Sequence, residues 1–128
     1  MVKPTPVSRS VTRPSSAAYC PDLGDFVWLD FKPQAGREQD LRRCAIVLTP
    51  RAYNQKTSLA VFCPTTNQGK GYPFEVPLPD GFPVSGVVLS DHVKSLDWTA
   101  RNAKFICTGD PAVTKEVLLK IKTLLAIP

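Results

Sequence analysis

Residues 42–50 read RRCAIVLTP, and residues 63–76 read CPTTNQGKGYPFEV. The first stretch places Arg43 at the start of an apolar strand, and the second places Thr66 at the end of the next one. A lysine, Lys70, and two glycines follow Thr66 in the connecting loop. Arginine, hydroxyl, lysine and backbone N–H groups are the donors that converge on phosphates in proteins. The two stretches therefore indicate a phosphate-binding site at the ends of two successive strands.

Short apolar runs separated by turn residues predict a mainly β (α+β) fold. Thirteen prolines in 128 residues argue against long helices. The runs predicted as strands are 25–31, 43–49, 57–64, 74–78, 86–90 and 101–107. Residues 50–55 are predicted to form a turn or a short helical turn, and residues 91–98 an irregular piece. The polar segment 32–42 is a long loop, and such loops are uncommon unless they carry a function.

One helix is predicted at the end of the chain. Asp110 supplies an N-cap and Pro111 a first helical residue. The helix would cover 111–126, with an apolar stripe formed by Val113, Val117, Ile121, Leu124 and Leu125. These elements together predict a small, strongly bent β-barrel with a C-terminal helix.

The formal charge of +5 is uneven along the chain. Residues 1–18 contain Lys3, Arg9 and Arg13 and no acidic residue, and their Pro, Ser and Thr content predicts a disordered or flexible basic arm. The remaining residues, 19–128, are predicted to form one domain with a charge of +2. A mildly basic domain with a basic arm suits a polyanionic partner.

The sequence gives no sign of a membrane span, a secretory signal or a zinc site. No apolar run approaches the roughly 20 residues of a membrane helix, and the N-terminus has no apolar core. The cysteines form no C-x-x-C pair and are predicted to be reduced, mostly buried thiols of a cytoplasmic protein: Cys20, Cys44, Cys63 and Cys107.

Further blocks of sequence resemble one family. Residues 19–31 read YCPDLGDFVWLDF, 33–39 PQAGREQ, 53–57 YNQKT and 89–98 LSDHVKSLDW. With the two stretches above, and in this order and spacing, they resemble the MazF/PemK family of toxin–antitoxin endoribonucleases over nearly all of 19–127. The family usually has Pro after the strand-opening arginine, whereas this chain has Cys44, which leaves φ free and retains an N–H donor.

The resemblance implies an SH3-like barrel that dimerises, as in PemK and CcdB toxins. It also implies a sequence-selective, metal-independent endoribonuclease without cofactors that acts in the cytoplasm. Such a toxin cuts single-stranded mRNA, leaves 2′,3′-cyclic phosphate and 5′-hydroxyl ends, and so inhibits translation and growth. A cognate antitoxin with an acidic, disordered C-terminal segment would silence it, by covering the loop 32–42 or the loop 66–72.

The resemblance assigns two catalytic residues. Arg43 matches the family's catalytic arginine, and we expect its neighbour Arg42 to be the solvated one of the pair. Thr66 matches the catalytic threonine, although Thr65 is a possible mis-assignment. The alternatives are a strand-end arginine paired with an acid and a turn threonine that bonds its own backbone.

The general base is harder to assign. A free guanidinium titrates above about 12, so arginine is a poor proton acceptor near neutral pH. Glu38 in the long loop is the predicted acceptor of the 2′-OH proton, the alternative being an ordinary exposed carboxylate. His92, the only histidine, is interpreted as structural or surface-exposed. Turn capping is the better interpretation than a metal cluster for Asp30, Asp91 and Asp97.

Several residues are predicted to contact RNA. Lysine meets phosphates, amide side chains read base edges, and aromatic rings stack on bases. Trp28, Phe31 and Tyr72 could stack on bases, and Phe31, at a strand end, is the best candidate of the three. Trp28 is expected to pack in the core by its strand pattern, and Trp98 is expected to pack as well. The predicted contacts are Phe31, Gln39, Asn67, Gln68 and Lys70.

Two other functions remain open from the sequence. One is a gyrase-poisoning toxin of similar fold, which would need no Arg43 and Thr66 pair. The other is a non-catalytic RNA-binding barrel, in which Cys44 has altered the loop.

Overall fold

The computed structural model describes residues 19–31 and 42–128. The predicted arm 1–18 and most of the loop 32–42, with Glu38 and Gln39, therefore lie outside the described residues.

The described residues form one antiparallel sheet of seven strands. Its strands are β1 (Asp25–Asp30), β2 (Arg42–Val47), β3 (Leu59–Thr66), β4 (Glu75–Pro77), β5 (Val87–Leu89), β6 (Lys94–Asp97) and β7 (Lys104–Thr108). The spatial order is β4-β5-β3-β2-β1-β7, and β6 pairs with β3. The predicted mainly β fold is confirmed, since the strands lie as in a bent barrel.

Strand β3 bends the sheet and carries Thr66. Its first residues, Leu59–Phe62, pair with β6, whereas its last two, Thr65 and Thr66, pair with Val88 and Val87 of β5. Its middle pairs with β2, where Ala45 faces Pro64. Because one strand belongs to both parts of the sheet, Thr66 is held at the bend, close to the start of β2.

The segment 91–98 was expected to be irregular, and this prediction is wrong. Residues Lys94–Asp97 form β6. Lys94 and Ser95 are exposed, so the strand lacks the apolar alternation that marks a strand in sequence. Its extended conformation is stabilised by pairing with β3, and that pairing cannot be predicted from a local sequence pattern.

Two helices complete the fold. Helix α1 (Arg51–Thr57) follows β2, and helix α2 (Pro111–Leu124) ends the described chain. Asp110 caps α2 as predicted, because its carboxylate accepts from the N–H of Ala112 at 2.9 Å.

Only part of the predicted stripe on α2 is buried. Val113 and Val117 join the core around Phe26, but Leu124 and Leu125 are 40% and 60% exposed, so their predicted burial is wrong. In the described residues, the core covers the first turns of the helix and leaves the last turn uncovered.

The cysteines are free thiols, and three of the four are buried. Burial raises the pKa of both the Cys44 and the Cys63 thiol to about 12, so neither is a thiolate near neutral pH. The described ranges contain no group of three or more His, Cys, Asp or Glu placed to hold a metal ion. None of their helices is long and apolar enough to cross a membrane.

Candidate active site

Arg43 lies at the start of β2 and points into a cleft of about 350 Å³. Its guanidinium donates through Nη2 to the carbonyl of Thr65 at 3.0 Å. The same group lies over the ring of Phe31, 5.7 Å from the ring centroid. No carboxylate among residues 19–31 and 42–128 pairs with it. A half-buried arginine held at one edge, without an acidic partner in these ranges, keeps N–H donors for an anion.

The neighbouring arginine has a structural role. Arg42 donates through Nη1 to Asp30 at 2.6 Å and through Nη2 to the carbonyl of Asn102 at 2.8 Å. The hydrogen bond from the Asn102 side chain, followed by the bond from Arg42, lowers the pKa of Asp30. Arg42 is therefore paired rather than free, although it stays partly exposed, and it points away from Arg43 because successive residues of a strand point to opposite faces.

Thr66 ends β3 and lines the same cleft. Its Oγ1 accepts from the N–H of Gln68 at 3.1 Å, which is the turn contact considered as the alternative role. A hydroxyl that accepts in this way still has its own proton to donate. Thr65, in contrast, is only 8% exposed and donates to the carbonyl of Cys44 at 3.4 Å, which favours Thr66 as the donor to a ligand.

Trp28 forms another wall of the cleft. It was expected to pack in the core, but its side chain is 46% exposed, so that prediction is wrong. Trp28 of β1 lies opposite Cys44 of β2, and Cys44 is the residue that follows Arg43. Trp98 does pack, as expected, and its Nε1 donates to the carbonyl of Asn54 at 2.9 Å. Phe31 is half-buried beneath Arg43, and Trp28 is the aromatic side chain that lines the cleft.

Sequence reasoning missed the segment 83–86, which closes the cleft opposite β2. Pro83, Val84 and Ser85 line the cleft beside Thr66. Gly86 then passes so close to β3 that an added Cβ would lie 2.1 Å from the carbonyl oxygen of Thr66. Its φ of +101° also favours glycine. In the sequence the segment is marked only by a glycine before an apolar strand, a pattern that ordinary turns share.

Hydrogen bonds hold the loop after Thr66 at both ends. Asn67 accepts from the Ser85 hydroxyl at 2.8 Å. Glu75 of β4 accepts from the backbone N–H of Lys70 at 3.0 Å and of Gly71 at 2.9 Å. The side chains of Asn67, Gln68 and Lys70 are exposed, so all remain available to a ligand.

The backbone hydrogen bonds that Glu75 accepts predict that this loop depends on pH. Hydrogen bonds from the backbone of Lys70 lower its pKa below the ordinary value of 4.5, and those from Gly71 and Tyr72 add to the effect. A lowered folded-state pKa means that the stabilisation is present above 4.5 and is lost as the pH falls through the lowered value.

We therefore expect the Gly71 amide resonance to shift as the pH falls from about 7 to about 3. In Glu75→Gln the resonance should already resemble the low-pH form at neutral pH, because the amide is a weaker acceptor than the carboxylate. Glu116→Gln removes an exposed carboxylate from α2 and serves as the control. A Gly71 signal that does not change with pH would contradict the role of Glu75.

His92 lies outside this cleft but near it. It is exposed and sits 3.9 Å from the carboxylate of Asp91. Both side chains line a second pocket, which shares Thr66 with the cleft. Asp97 caps a turn as expected, accepting from the N–H groups of Thr99 and Ala100 at 2.9 Å.

This is a small bent β-barrel whose cleft combines a donor-rich arginine, a threonine hydroxyl and an exposed tryptophan. The family model for the PemK-like, MazF-like toxin of type II toxin–antitoxin systems matches residues 22–125. The chain is 46% identical over 107 residues to the endoribonuclease toxin MazF of Escherichia coli K12, an alignment that covers 84% of this chain and 96% of that protein. It is 34% identical over 104 residues to the endoribonuclease PemK of Escherichia coli, covering 77% of this chain and 78% of that protein.

Solved structures of related proteins have the same fold. The crystal structure of MazF from Deinococcus radiodurans superposes with a TM-score of 0.78 at 52% identity, over 85% of this chain and 99% of that one. A chain of a MazE–MazF crystal structure from the same organism superposes with a TM-score of 0.77 at 46% identity, over 86% of this chain and 99% of that one. The chain therefore belongs to the family of MazF-like toxins of type II toxin–antitoxin systems. The family and the endoribonuclease class predicted from the sequence are confirmed by these matches.

Proposed function

We propose that this toxin is a sequence-selective endoribonuclease that cuts single-stranded mRNA in the cytoplasm and so inhibits translation and growth. The observation that carries the proposal is the convergence of Arg43 and Thr66 on one cleft, with Arg43 unpaired among the described residues. A gyrase poison would not need this pair of donors. The relatives named endoribonucleases support the same choice.

The proposed reaction is a transesterification. The ribose 2′-oxygen attacks the adjacent phosphorus, and the bond from phosphorus to the 5′-oxygen breaks. One proton leaves the 2′-OH and another reaches the departing 5′-oxygen, which gives 2′,3′-cyclic phosphate and 5′-hydroxyl ends. In the transition state, negative charge accumulates on the equatorial phosphate oxygens, so hydrogen-bond donors fixed near those oxygens accelerate the step.

Two described residues can stabilise the developing charge without a metal or a cofactor. The free N–H groups of Arg43 face the phosphate, and its bond to the Thr65 carbonyl fixes the guanidinium in place. The Thr66 hydroxyl donates to a second oxygen while Gln68 holds it. Glu38 is proposed to accept the 2′-OH proton, and its segment lies outside the described residues. RNA binding by Phe31, Gln39, Asn67, Gln68 and Lys70 also stays a prediction.

Removing the Thr66 hydroxyl tests the second donor. We expect Thr66→Val to slow single-turnover cleavage about 10- to 100-fold, the value of one hydrogen bond to a charged group. Thr65→Val is the matched control, because that hydroxyl is buried and donates to the Cys44 carbonyl. Equal losses in the two variants, or a larger loss in Thr65→Val, would remove Thr66 from the mechanism.

The toxin is further proposed to act as a homodimer. Exposed apolar side chains on and near α2 support a protein interface there: Leu23, Leu118, Leu119 and Leu125. Sedimentation equilibrium measures the mass of the purified chain directly.

The proposed inhibitor is an antitoxin whose acidic, disordered C-terminal segment occupies the RNA groove over loop 32–42 or loop 66–72. The structures of MazE–MazF complexes support such a partner. An acidic peptide would meet Lys70 and Arg43, and its charges would speed association.

We expect the affinity of that peptide to fall as salt rises from about 0.05 to 0.5 M, because screening weakens exposed charge pairs. RNA should compete with it. A peptide with amides in place of its carboxylates is the control, and its affinity should be low and nearly independent of salt. Inhibition of cleavage without displacement of RNA would contradict groove occupancy. Comparing the full chain with one that begins at Tyr19 measures what the basic arm adds.

A further inference from the structure

A third cavity, of about 480 Å³, lies beside α2 and shares no lining residue with the cleft that contains Arg43. Residues that follow Pro111 by four, seven, eight and eleven positions form its helical wall, and this spacing places them on one face of α2. They are Lys115, Leu118, Leu119 and Lys122. The remaining wall comes from Leu23 and Gly24, before β1, and from Thr108 and Gly109, at the end of β7.

The leucines of this cavity are open to solvent. Leu23, Leu118 and Leu119 are all exposed, although each presents an apolar side chain. Binding sites for small molecules are concave, mostly apolar and about 300–1,000 Å³ in volume. An apolar ligand gains free energy by leaving water for such a wall. The cavity therefore suits an alkyl chain.

Two lysines flank these leucines, about two helical turns apart. Among the described residues, neither Lys115 nor Lys122 has an ion pair or a hydrogen bond through its side chain. Lys120 differs, because its Nζ donates to the carbonyl of Pro73 at 2.7 Å. No acidic residue is among those that line the cavity. The cavity therefore combines apolar walls with two free cations, which favours a ligand with one anionic end.

Two threonines of the cavity wall lack hydrogen-bond partners. Thr114 is only 8% exposed, and the hydroxyl oxygens of Thr108 and Thr114 are buried without a partner among the described residues. Buried hydroxyls of this kind are uncommon in folded proteins. A hydroxyl donates to a carboxylate oxygen, so an anionic group at this end of the cavity would accept the missing bonds.

A second copy of the chain fits this cavity less well. In a twofold contact the same patch meets itself, so Lys115 and Lys122 of both protomers would come together with no acid in the cavity wall. The segment 1–18 is also unsuitable, because it contains three basic residues and no acidic one.

We propose that this cavity binds a medium-chain fatty acid. The alkyl chain lies along Leu118 and Leu119, and the carboxylate lies beside the two lysines and the Thr114 hydroxyl. The site is separate from the RNA groove, and its occupation does not depend on RNA cleavage.

The test is calorimetric titration of the full-length chain with hexanoate, octanoate and decanoate, each below the concentration at which it forms micelles. We expect one saturable site per chain, with an affinity that rises by up to about fourfold for each added methylene. Lys115→Gln combined with Lys122→Gln should lower the affinity for decanoate at least about threefold, because the charge pairs are lost. Leu119→Ser should lower it about fivefold, because apolar contact with the alkyl chain is lost.

Matched controls change the same residue types elsewhere on the surface. Lys56→Gln combined with Lys104→Gln removes two exposed lysines, and Leu59→Ser removes an exposed leucine. None of the three residues lines the cavity, so these variants should bind decanoate like the parent. Thermal unfolding checks that all variants are folded.

Three results would overturn the proposal: no saturable binding, an affinity that is independent of chain length, or equal losses in the control variants. Binding that disappears at protein concentrations at which the chain dimerises would identify a second copy as the occupant and would overturn it too. So would displacement of decanoate by RNA, which would place the ligand in the groove. RNA cleavage is not measured in these titrations, so each of these outcomes leaves the proposed function standing.

Discussion

Replacing Arg43 with alanine should lower the rate of RNA cleavage by at least about 10²–10³-fold, the effect of removing one preorganised donor from a developing oxyanion. The guanidinium faces the cleft and donates to Thr65 with one edge only, so its loss removes the donors that meet the phosphate. The fold should survive, because the deleted contacts are one hydrogen bond and the approach to the Phe31 ring, each of about 1 kcal/mol. Cleavage is followed at saturating RNA, and stability by thermal unfolding.

The chain supplies a matched control next to it. Arg42→Ala removes the same charge from the same strand, but that side chain bonds Asp30 and the carbonyl of Asn102 away from the cleft. We expect Arg42→Ala to cost up to about 1 kcal/mol of stability and to cleave at nearly the parental rate. If Arg42→Ala is the inactive variant and Arg43→Ala is active, the site is assigned to the wrong arginine.

Gly86→Ala is the second change with a large expected effect. The new Cβ would lie 2.1 Å from the Thr66 carbonyl oxygen, so β3 and the segment 83–86 must separate. A displacement of about 1 Å at the Thr66 hydroxyl is enough to lower the rate about a hundredfold. The positive φ adds backbone strain of about 1–3 kcal/mol. Cleavage rate and melting temperature measure the two effects separately.

Gly81→Ala separates strain from steric displacement. Gly81 also has a positive φ, of +82°, but its Cβ would meet nothing within 4 Å. This variant should lose stability and keep the parental rate. A parental rate in Gly86→Ala as well would show that the position of Thr66 does not depend on this close approach.

Much of the fold could be predicted from the sequence because its elements carry local signals. Buried runs such as Ala45–Val47 marked β2, and Asp110 followed by Pro111 marked the start of α2. The start of β1 lies at Asp25 as predicted, and the other strand ends were displaced by one to three residues, since pairing rather than propensity decides where a strand stops. Strand β6 was missed because its extended conformation depends on pairing with β3 and not on a local sequence pattern.

The site was harder to predict, because its geometry depends on distant contacts. Arg42 and Arg43 are alike in sequence, and only the registers Asp30↔Arg42 and Leu29↔Arg43 assign them to different faces. Trp28 sits in an apolar strand, but it faces a cleft that the segment 83–86 completes from 55 or more residues away. The role of Gly86 follows from its close approach to the Thr66 carbonyl, which cannot be predicted from a local sequence pattern.

The central claim is that the Arg43 cleft cuts RNA by transesterification. Its most direct test incubates the purified chain with a single-stranded RNA in excess EDTA and identifies both new ends by mass spectrometry, beside Arg43→Ala and Arg42→Ala. We expect 2′,3′-cyclic phosphate and 5′-hydroxyl ends from the parent and from Arg42→Ala, and a loss of cleavage of at least about a hundredfold in Arg43→Ala. Cleavage that EDTA abolishes, ends with a 5′-phosphate, or undiminished cutting by Arg43→Ala would contradict it.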